Sequence, residues 1–474
     1  MCSLLPHRST TMHWGPSLAC MLALLAWLSD AGRLVDRCGD LQFPDVVCID
    51  RYGTYMPGVF KREPSDTYRS TSIQDPSFAV VKNAKFLVFD SERARGVLGS
   101  QPSVRNMFPV DDGATDAPVY VPDTNELWIG GLRTGDTSQY VVDLGQDNPQ
   151  PQKRTLSPPI YAANGMRYHS GRVWVSAAGG NDTLQGGPYH PGIYSFDPKT
   201  GNSKVEANNY YGWFINSAND LDIDSSGRVW FTDPLHSRNM GVNENAPFIQ
   251  PAVYRYNPGS GELRVVDDTL EFPNGITFSP DGKTLYVANT AAAVGNTDPN
   301  ISWEEAGPLK YNSTGKRTIY AFDVTSDGIL QNRRPIYTSM DYVADGMRVA
   351  SNGYLVASAG YGVDILDAGG SHLARIQLDF IATNVEFAGP RRDELWIVGH
   401  GQVARAYIGL TGLMPSTGAA KQRLHVQGHT HGQEHIRSIC YDPNYISNSG
   451  YYGLNCFRDT VHGYYRSDDE ARYV

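Results

Sequence analysis

The chain has 474 residues, a net charge of −10, a sequence pI near 5.6 and 41 % hydrophobic residues. The acidic balance and the lack of any Lys/Arg block exclude nucleic acid as a partner, because phosphate backbones need clustered positive charge. The length suffices for a large core and suits one long repetitive β domain as well as several smaller ones.

Residues 1–32 carry His7, Arg8 and His13, an apolar run LACMLALLAWL at 18–28, and then small residues. About eleven apolar residues are too few to span a bilayer, and the arrangement is that of a cleaved secretory signal, so the expected location is secreted or in the secretory pathway. Beyond that leader the cysteines are Cys38, Cys48, Cys440 and Cys456, all in the terminal extensions 33–72 and 413–474. Two short local disulfide loops are preferred over a cross-tie of the two ends. Sequons at Asn181, Asn300 and Asn312 are expected in glycosylated surface loops.

Residues 33–72 show no periodicity and read as an irregular arm, followed by a predicted β-hairpin over 78–89 with its tip at 83–85. Six related units then follow: DAPVYVPDTNELWIGG (116–131), NGMRYHSGRVWVSAAG (164–179), NDLDIDSSGRVWFTDP (219–234), FPNGITFSPDGKTLYVANT (272–290), DGMRVASNGYLVASAG (345–360) and NVEFAGPRRDELWIVGH (384–400). Each has an Asp or Asn leader, a short strand, a polar turn and a second strand centred on an aromatic or Leu. Third strands follow at 192–197, 252–257, 318–323 and 362–367. Leaders recur at roughly 40 to 70 residues, the spacing of four-stranded antiparallel blades, so residues 73–412 are expected to form an all-β, six-bladed propeller.

The topology gives the leaders a place. If each opens an innermost strand, then all six leaders share one end of the barrel with the long loops at 180–191, 235–251 and 291–317. Asp116, Asn164, Asn219, Asn274, Asp345 and Asn384 then converge on the axis. Carboxylate and amide oxygens are hard donors, and two of each suit Ca²⁺ better than zinc. His236 and His400 follow second strands and are candidate proton carriers near that end. His429, His431 and His435 lack a placed fourth ligand and read as solvated surface histidines. No GxSxG is present, so a serine nucleophile has no support.

Units three to five, with NNYYGWFINSANDLDIDSSGRVWFTDPL and VYRYNPGSGELRVVDDTLEFPNGITFSPDGKTLYVANT, resemble the senescence-marker-protein/gluconolactonase family of six-bladed propellers, and are similar to its fungal lactonohydrolases in particular. The resemblance implies one calcium ion held by Asp116, Asn219, Asn274 and Asp345. It also implies Lewis-acid opening of a small lactone with Asp345 as the base. The family's first-blade carboxylate is usually Glu, and Asp116 is one methylene shorter, which puts the metal geometry in question. Asn164, Asn384, Trp213, Phe214 and Trp303 are the expected substrate contacts. An alternative on the same scaffold is a hetero-Diels–Alder cyclase joining a quinone methide to a terpene alkene, for which the aromatics Tyr210, Tyr211, Trp213, Phe214, Phe248 and Trp303 would supply a dry pocket. A non-catalytic binding propeller is the third reading.

Overall fold

The computed structural model describes residues 76–414 without interruption, together with residues 35–36, 38, 41, 43–49, 60–61, 72–73, 438–441 and 455–458. The expected signal at 1–32 and the three tail histidines lie outside the described residues.

Six antiparallel blades surround one axis, as the repeats require. Blade two is Ala163–His169, Arg172–Ala177, Gly192–Phe196 and Ser203–Ala207, in that order from axis to rim. Blade three is Leu221–Ile223, Val229–Asp233, Ala252–Asn257 and Glu262–Asp267. Blade four is Pro273–Phe278, Thr284–Asn289, Thr318–Val324 and Leu330–Thr338. Blade five is Ala344–Val349, Leu355–Ala359, Gly362–Leu366 and His372–Gln377.

Blades six and one share strands, and this closes the ring. Ala382–Ala388 pairs with the first half of Glu394–Tyr407, which turns back at Gly401 (φ +71°). Its second half pairs with residues 103–109 of the long strand Ser103–Val121. The same strand runs on to become the innermost strand of blade one, followed by Glu126–Leu132, Ser138–Asp143 and Pro151–Thr155. One continuous segment thus ends the last blade and begins the first, joining two blades far apart in sequence.

The core lies between blades. Apolar clusters fill every junction: Trp128 with Met166 and Val175 between blades one and two, Trp230 with Ile276 and Leu285 between three and four, and Trp396 with Leu127 and Ile129 between six and one. These three tryptophans are fully buried and use one device. Each Nε1–H donates to a carboxylate on its own sheet (Glu126 at 3.1 Å, Asp224 at 2.9 Å, Glu394 at 3.1 Å), and each ring lies under a guanidinium (Arg154, Arg255, Arg405) at 5.0 to 5.6 Å. The indole therefore buries its large apolar area without leaving its one donor unpaired.

One expectation for the N-terminal region needs correction. Residues 78–82 belong to a 3₁₀ helix, Pro76–Lys82, and not to the first arm of a hairpin; only Phe86–Val88 is a strand. The short apolar run FAVV has no periodicity that separates helix from strand, and Gln377 Nε2 captures the carbonyls of Val81 and Ala84 at 2.8 and 2.7 Å. Described residues of the arm extend blade five. Phe86–Val88 adds antiparallel to the rim of blade five, Val46–Ile49 adds parallel to it, and Val35–Asp36 follows, which covers an edge otherwise open to pairing. A disulfide, Cys38–Cys48, fastens this addition. The second compact unit, residues 417–474, contains the antiparallel pair Ser438–Tyr441 and Asn455–Arg458, whose register sets Cys440 opposite Cys456.

Candidate active site

The innermost strands do not run straight past the axis. In five of six blades the pairing slips at the leader, between Asp116 and Val119, Ala163 and Gly165, Pro273 and Ile276, Ala344 and Met347, and Ala382 and Asn384. A bulge of this kind re-aims a side chain out of the regular alternation. In blade three, Asn219 stands just before its strand, held by its N–H to the Thr232 carbonyl at 2.8 Å. The glycines that follow several leaders have a steric purpose. A Cβ on Gly275 would lie 2.1 Å from the Asp345 carbonyl oxygen, and one on Gly346 would lie 2.1 Å from Asn384 Cγ. The Asn-Gly pair at 274–275 is thus a close-approach device that lets neighbouring strands meet at the axis.

The leaders do meet there. Asn384 Nδ2 donates to Asp116 Oδ1 at 2.9 Å, and the Asn274 amide hydrogen-bonds the Asp345 carboxylate. Asp116 Oδ1 also accepts from the N–H of Ala117 at 2.7 Å, in a backbone with φ +53° at Ala117, so the short carboxylate is held back against its own strand. Asn164, Asn219 and Asn274 are buried, Asp345 is half-buried, and among the described residues the Asn164 and Asn219 side-chain amides have no hydrogen-bond partner. Burial pushes both carboxyls above the ordinary range; for Asp345 the charges of Asp116 and Asp220 add to this, and for Asp116 the Asp220 charge adds while the Asn384 and Ala117 hydrogen bonds oppose it.

Asp220, which the repeat pattern does not single out, belongs to this assembly. It is 1 % exposed, and burial raises its pKa against the opposing pull of two arginines, with Arg167 NH1 at 3.7 Å and Arg348 NH1 at 4.0 Å. Those arginines come from opposite blades and cross the axis. Arg348 donates to the carbonyls of Pro118 (3.1 Å) and Met166 (3.4 Å), and Arg167 to that of Ile276 (3.3 Å). Arg348 pairs with Glu386 at 2.7 Å and Arg167 with Asp222 at 3.3 Å. A paired cationic layer therefore lies next to the leader carboxylates. Its signal in the sequence is the repeated Gly-Met-Arg after Asn164 and Asp345, which places Arg three residues past a leader in both units.

The other expected site residues divide. His236 is buried, stacked on Phe272 at 4.7 Å with Nε2 3.4 Å from Thr290 Oγ1, and burial pushes it down to about 4, which leaves it neutral. His400 is exposed at the turn of Glu394–Tyr407, opposite Ala114 of blade one. Trp213 and Phe214 are exposed on a small hairpin, whereas Trp303 is half-buried on the helix Trp303–Ala306, beside Gly241. The three long loops interlock: Asn181 Nδ2 donates to Glu244 at 2.9 Å, Arg238 to the Ile301 carbonyl at 2.7 Å, and Asn239 to that of Gly307 at 2.9 Å. Asn181 is therefore buried with its amide nitrogen engaged, which corrects the expected surface position for that sequon; Asn300 and Asn312 are exposed. Among the described residues no cluster of three His, Cys, Asp or Glu forms a metal site, so any cation at the axis would depend on the amide oxygens.

This is a six-bladed propeller with an oxygen-rich cluster where its inner strands converge. The SMP-30/gluconolactonase/LRE-like region matches residues 159–295 and 296–400. The chain is 43 % identical over 465 residues to the lactonohydrolase oryH of Aspergillus oryzae, covering 85 % of this chain and 99 % of that protein. It is 45 % identical over 388 residues to the lactonohydrolase oryL of the same fungus, covering 80 % and 88 %. A gluconolactonase of Zymomonas mobilis is 31 % identical over 279 residues, covering 55 % and 69 %. A solved gluconolactonase from Xanthomonas campestris shares the fold, with a TM-score of 0.54 and 23 % identity over 68 % of this chain and 94 % of that one. The chain belongs to the SMP-30/gluconolactonase/LRE-like family.

Proposed function

We propose that this protein is a hydrolase that opens a small lactone at the axial cluster, with Ca²⁺ held by Asp116, Asn219, Asn274 and Asp345. The observation that carries the reading is the meeting of a buried and a half-buried carboxylate with neighbouring amides at bulged strand ends, joined to relatives that are themselves lactonohydrolases. The donor set fits the ion: all ligands are oxygens, and the Asp345 carboxyl, raised by burial and by the charges of Asp116 and Asp220, has an excess of negative charge beside it that a cation would offset. When bound, the cation supplies Lewis-acid polarisation of a carbonyl oxygen. Asp345 is the base for the attacking water: its carboxylate is half-buried at the leader end and is kept ionised by the bound cation, so it can take up the proton that the water gives up. Asn384 fixes Asp116, Asn274 fixes Asp345, and the arginine layer closes the channel so that substrate enters from the leader end.

The apolar leader at 18–28 and the disulfide Cys38–Cys48 support export as the companion reading. The test is a lactone panel, aldonic and aromatic, monitored by acid release at constant pH with and without chelator. Ring opening lost with chelator and restored by Ca²⁺ is expected. No turnover of any lactone with saturating Ca²⁺, or chelator-insensitive cyclisation of a quinone methide with an alkene, would overturn it.

A further inference from the structure

Buried hydroxyls stand directly behind the leaders. Ser176, Thr232 and Ser358 hold the same place in the second strands of blades two, three and five, and all three are fully buried. Ser176 Oγ donates to the carbonyl of Asn219 in blade three at 2.6 Å, and Thr232 Oγ1 to that of Asn274 in blade four at 2.7 Å. Thr232 Oγ1 also accepts from the Asp220 N–H at 3.2 Å, while the Asn219 N–H donates to the Thr232 carbonyl at 2.8 Å. A chain of bonds thus runs from blade two through three to four and grips the backbone of both asparagines. A second chain runs from blade five through six to one: Ser358 to the Thr383 carbonyl, Thr383 to that of Thr115 and Thr115 to that of Gly399, at 2.6, 2.6 and 2.5 Å. It ends beside Asp116.

The two chains do not join. Blade four has Ala288 at the hydroxyl position and blade one has Gly130, where the backbones close up instead: a Cβ on Gly130 would lie 2.4 Å from the Ala163 carbonyl oxygen. Blade six has the buried Val398 there, so packing alone is met by an apolar side chain. A buried hydroxyl costs free energy unless it is bonded, and an apolar residue fills the same space without that cost. The use of hydroxyls in blades two and three therefore points to the carbonyls they hold. At a bulge or strand start the leader's backbone has left the regular ladder and needs another partner. Ca–O distances span only about 2.3–2.6 Å, so the backbone that carries an amide ligand must be fixed as closely as the amide itself.

We propose that Ser176 and Thr232 are positioning residues of the axial site, which fix the Asn219 and Asn274 amides as cation ligands through the carbonyls behind them. This rests on the cation-assisted lactone opening above. The test uses the full chain with Ser176→Ala, Thr232→Val and Thr232→Ser. Ser195→Ala is the control, because its buried hydroxyl, in the third strand of blade two, bonds Glu206 at 2.5 Å and no leader. Ca²⁺ is titrated by calorimetry well below the unfolding midpoint of each variant, and kcat/KM is read on the lactone panel. Ser176→Ala and Thr232→Val are each expected to weaken Ca²⁺ binding and lower kcat/KM by about tenfold or more, Thr232→Ser to restore both to within about threefold of wild type, and Ser195→Ala to change neither. Wild-type values in Ser176→Ala and Thr232→Val overturn the proposal while lactone opening stands. So does an equal loss in Ser195→Ala, or no recovery in Thr232→Ser, which makes the effect one of general packing. If wild type binds Ca²⁺ but opens no lactone, the hydrolase reading fails and Ca²⁺ affinity alone decides; if it opens lactones without Ca²⁺, the cation reading fails and kcat/KM decides. A wild type that does neither overturns both.

Discussion

Gly275→Ala is the sharpest perturbation of the proposed site, because it changes no donor. The added methyl would stand 2.1 Å from the Asp345 carbonyl oxygen and 3.0 Å from Gly346 Cα, both backbone atoms of the neighbouring blade. Ordinary contact begins near 3.4 Å, so the two inner strands must part by more than 1 Å at the point where Asn274 meets Asp345. Ca–O distances span only about 2.3–2.6 Å, and a misplacement of about 1 Å is worth roughly 100-fold in rate. The variant is therefore expected to lose calorimetric Ca²⁺ binding and at least about 100-fold in kcat/KM for lactone opening. Circular dichroism should remain that of a β propeller. Gly96→Ala serves as the control: this helix position has nothing within 4 Å of the new methyl, and the substitution should stabilise by about 0.5–1 kcal/mol without touching activity. A Gly275→Ala protein with wild-type Ca²⁺ affinity and turnover would refute the claim that the close approach of these strands sets the site.

Other outcomes follow from the same geometry. Asp116 and Asp233 are pushed up to about 7 by burial, and Asp345 and Asp220 are raised too, so between about pH 4 and 7 these carboxyls hold more protons in the metal-free folded chain than in the unfolded one, while His169, His236 and His400, lowered by burial, hold fewer. The carboxyl share of the unfolding free energy falls as pH rises through that window and the histidine share rises; Ca²⁺ should remove the Asp116 and Asp345 part alone and so make the slope more positive, and equal slopes in denaturant titrations with and without Ca²⁺ would reject the cage. Arg348→Met removes one of the two cations paired with buried Glu386 and should cost about 3–5 kcal/mol, whereas Arg348→Met with Glu386→Gln should cost less. Expression in a glycosylating host should give glycans at Asn300 and Asn312 but not at Asn181, as peptide mass mapping would read.

The propeller was legible because its signal is repeated: a polar leader, a turn and an aromatic-centred strand in six copies fix both blade number and which strand is innermost. The third strands also read correctly, since each is bounded by Gly or a loop on one side and by turn residues on the other: Asp197-Pro198, Asn257-Pro258, Asp327-Gly328 and Asp367-Ala368-Gly369. Single-copy elements did not read as well. The helix Ser91–Leu98 has Asp90 as its cap, accepting from the Arg93 N–H at 2.9 Å, but its eight residues are too few for a clear period. The Pro76–Lys82 segment took its conformation from Gln377, nearly 300 residues away, and no local pattern encodes that.

The leaders were readable as a group, whereas Asp220 was not and the arginine layer left only the repeated Gly-Met-Arg of units two and five, and the reason is electrostatic. A leader repeats because every blade needs a residue at the bulge, but charge balance at an axis is a property of the whole ring. Asp116, Asp220 and Asp345 come from blades one, three and five, and Arg167 and Arg348 from blades two and five. Each carboxylate is costly in its own strand and is offset only by cations from others. The arginines act on Asp220, and Arg348 acts on Asp116 as well, whereas Asp345 is raised by the charges of Asp116 and Asp220. Under the proposed function, a cation at the leader end would offset that excess of negative charge, as the arginines do beside Asp220.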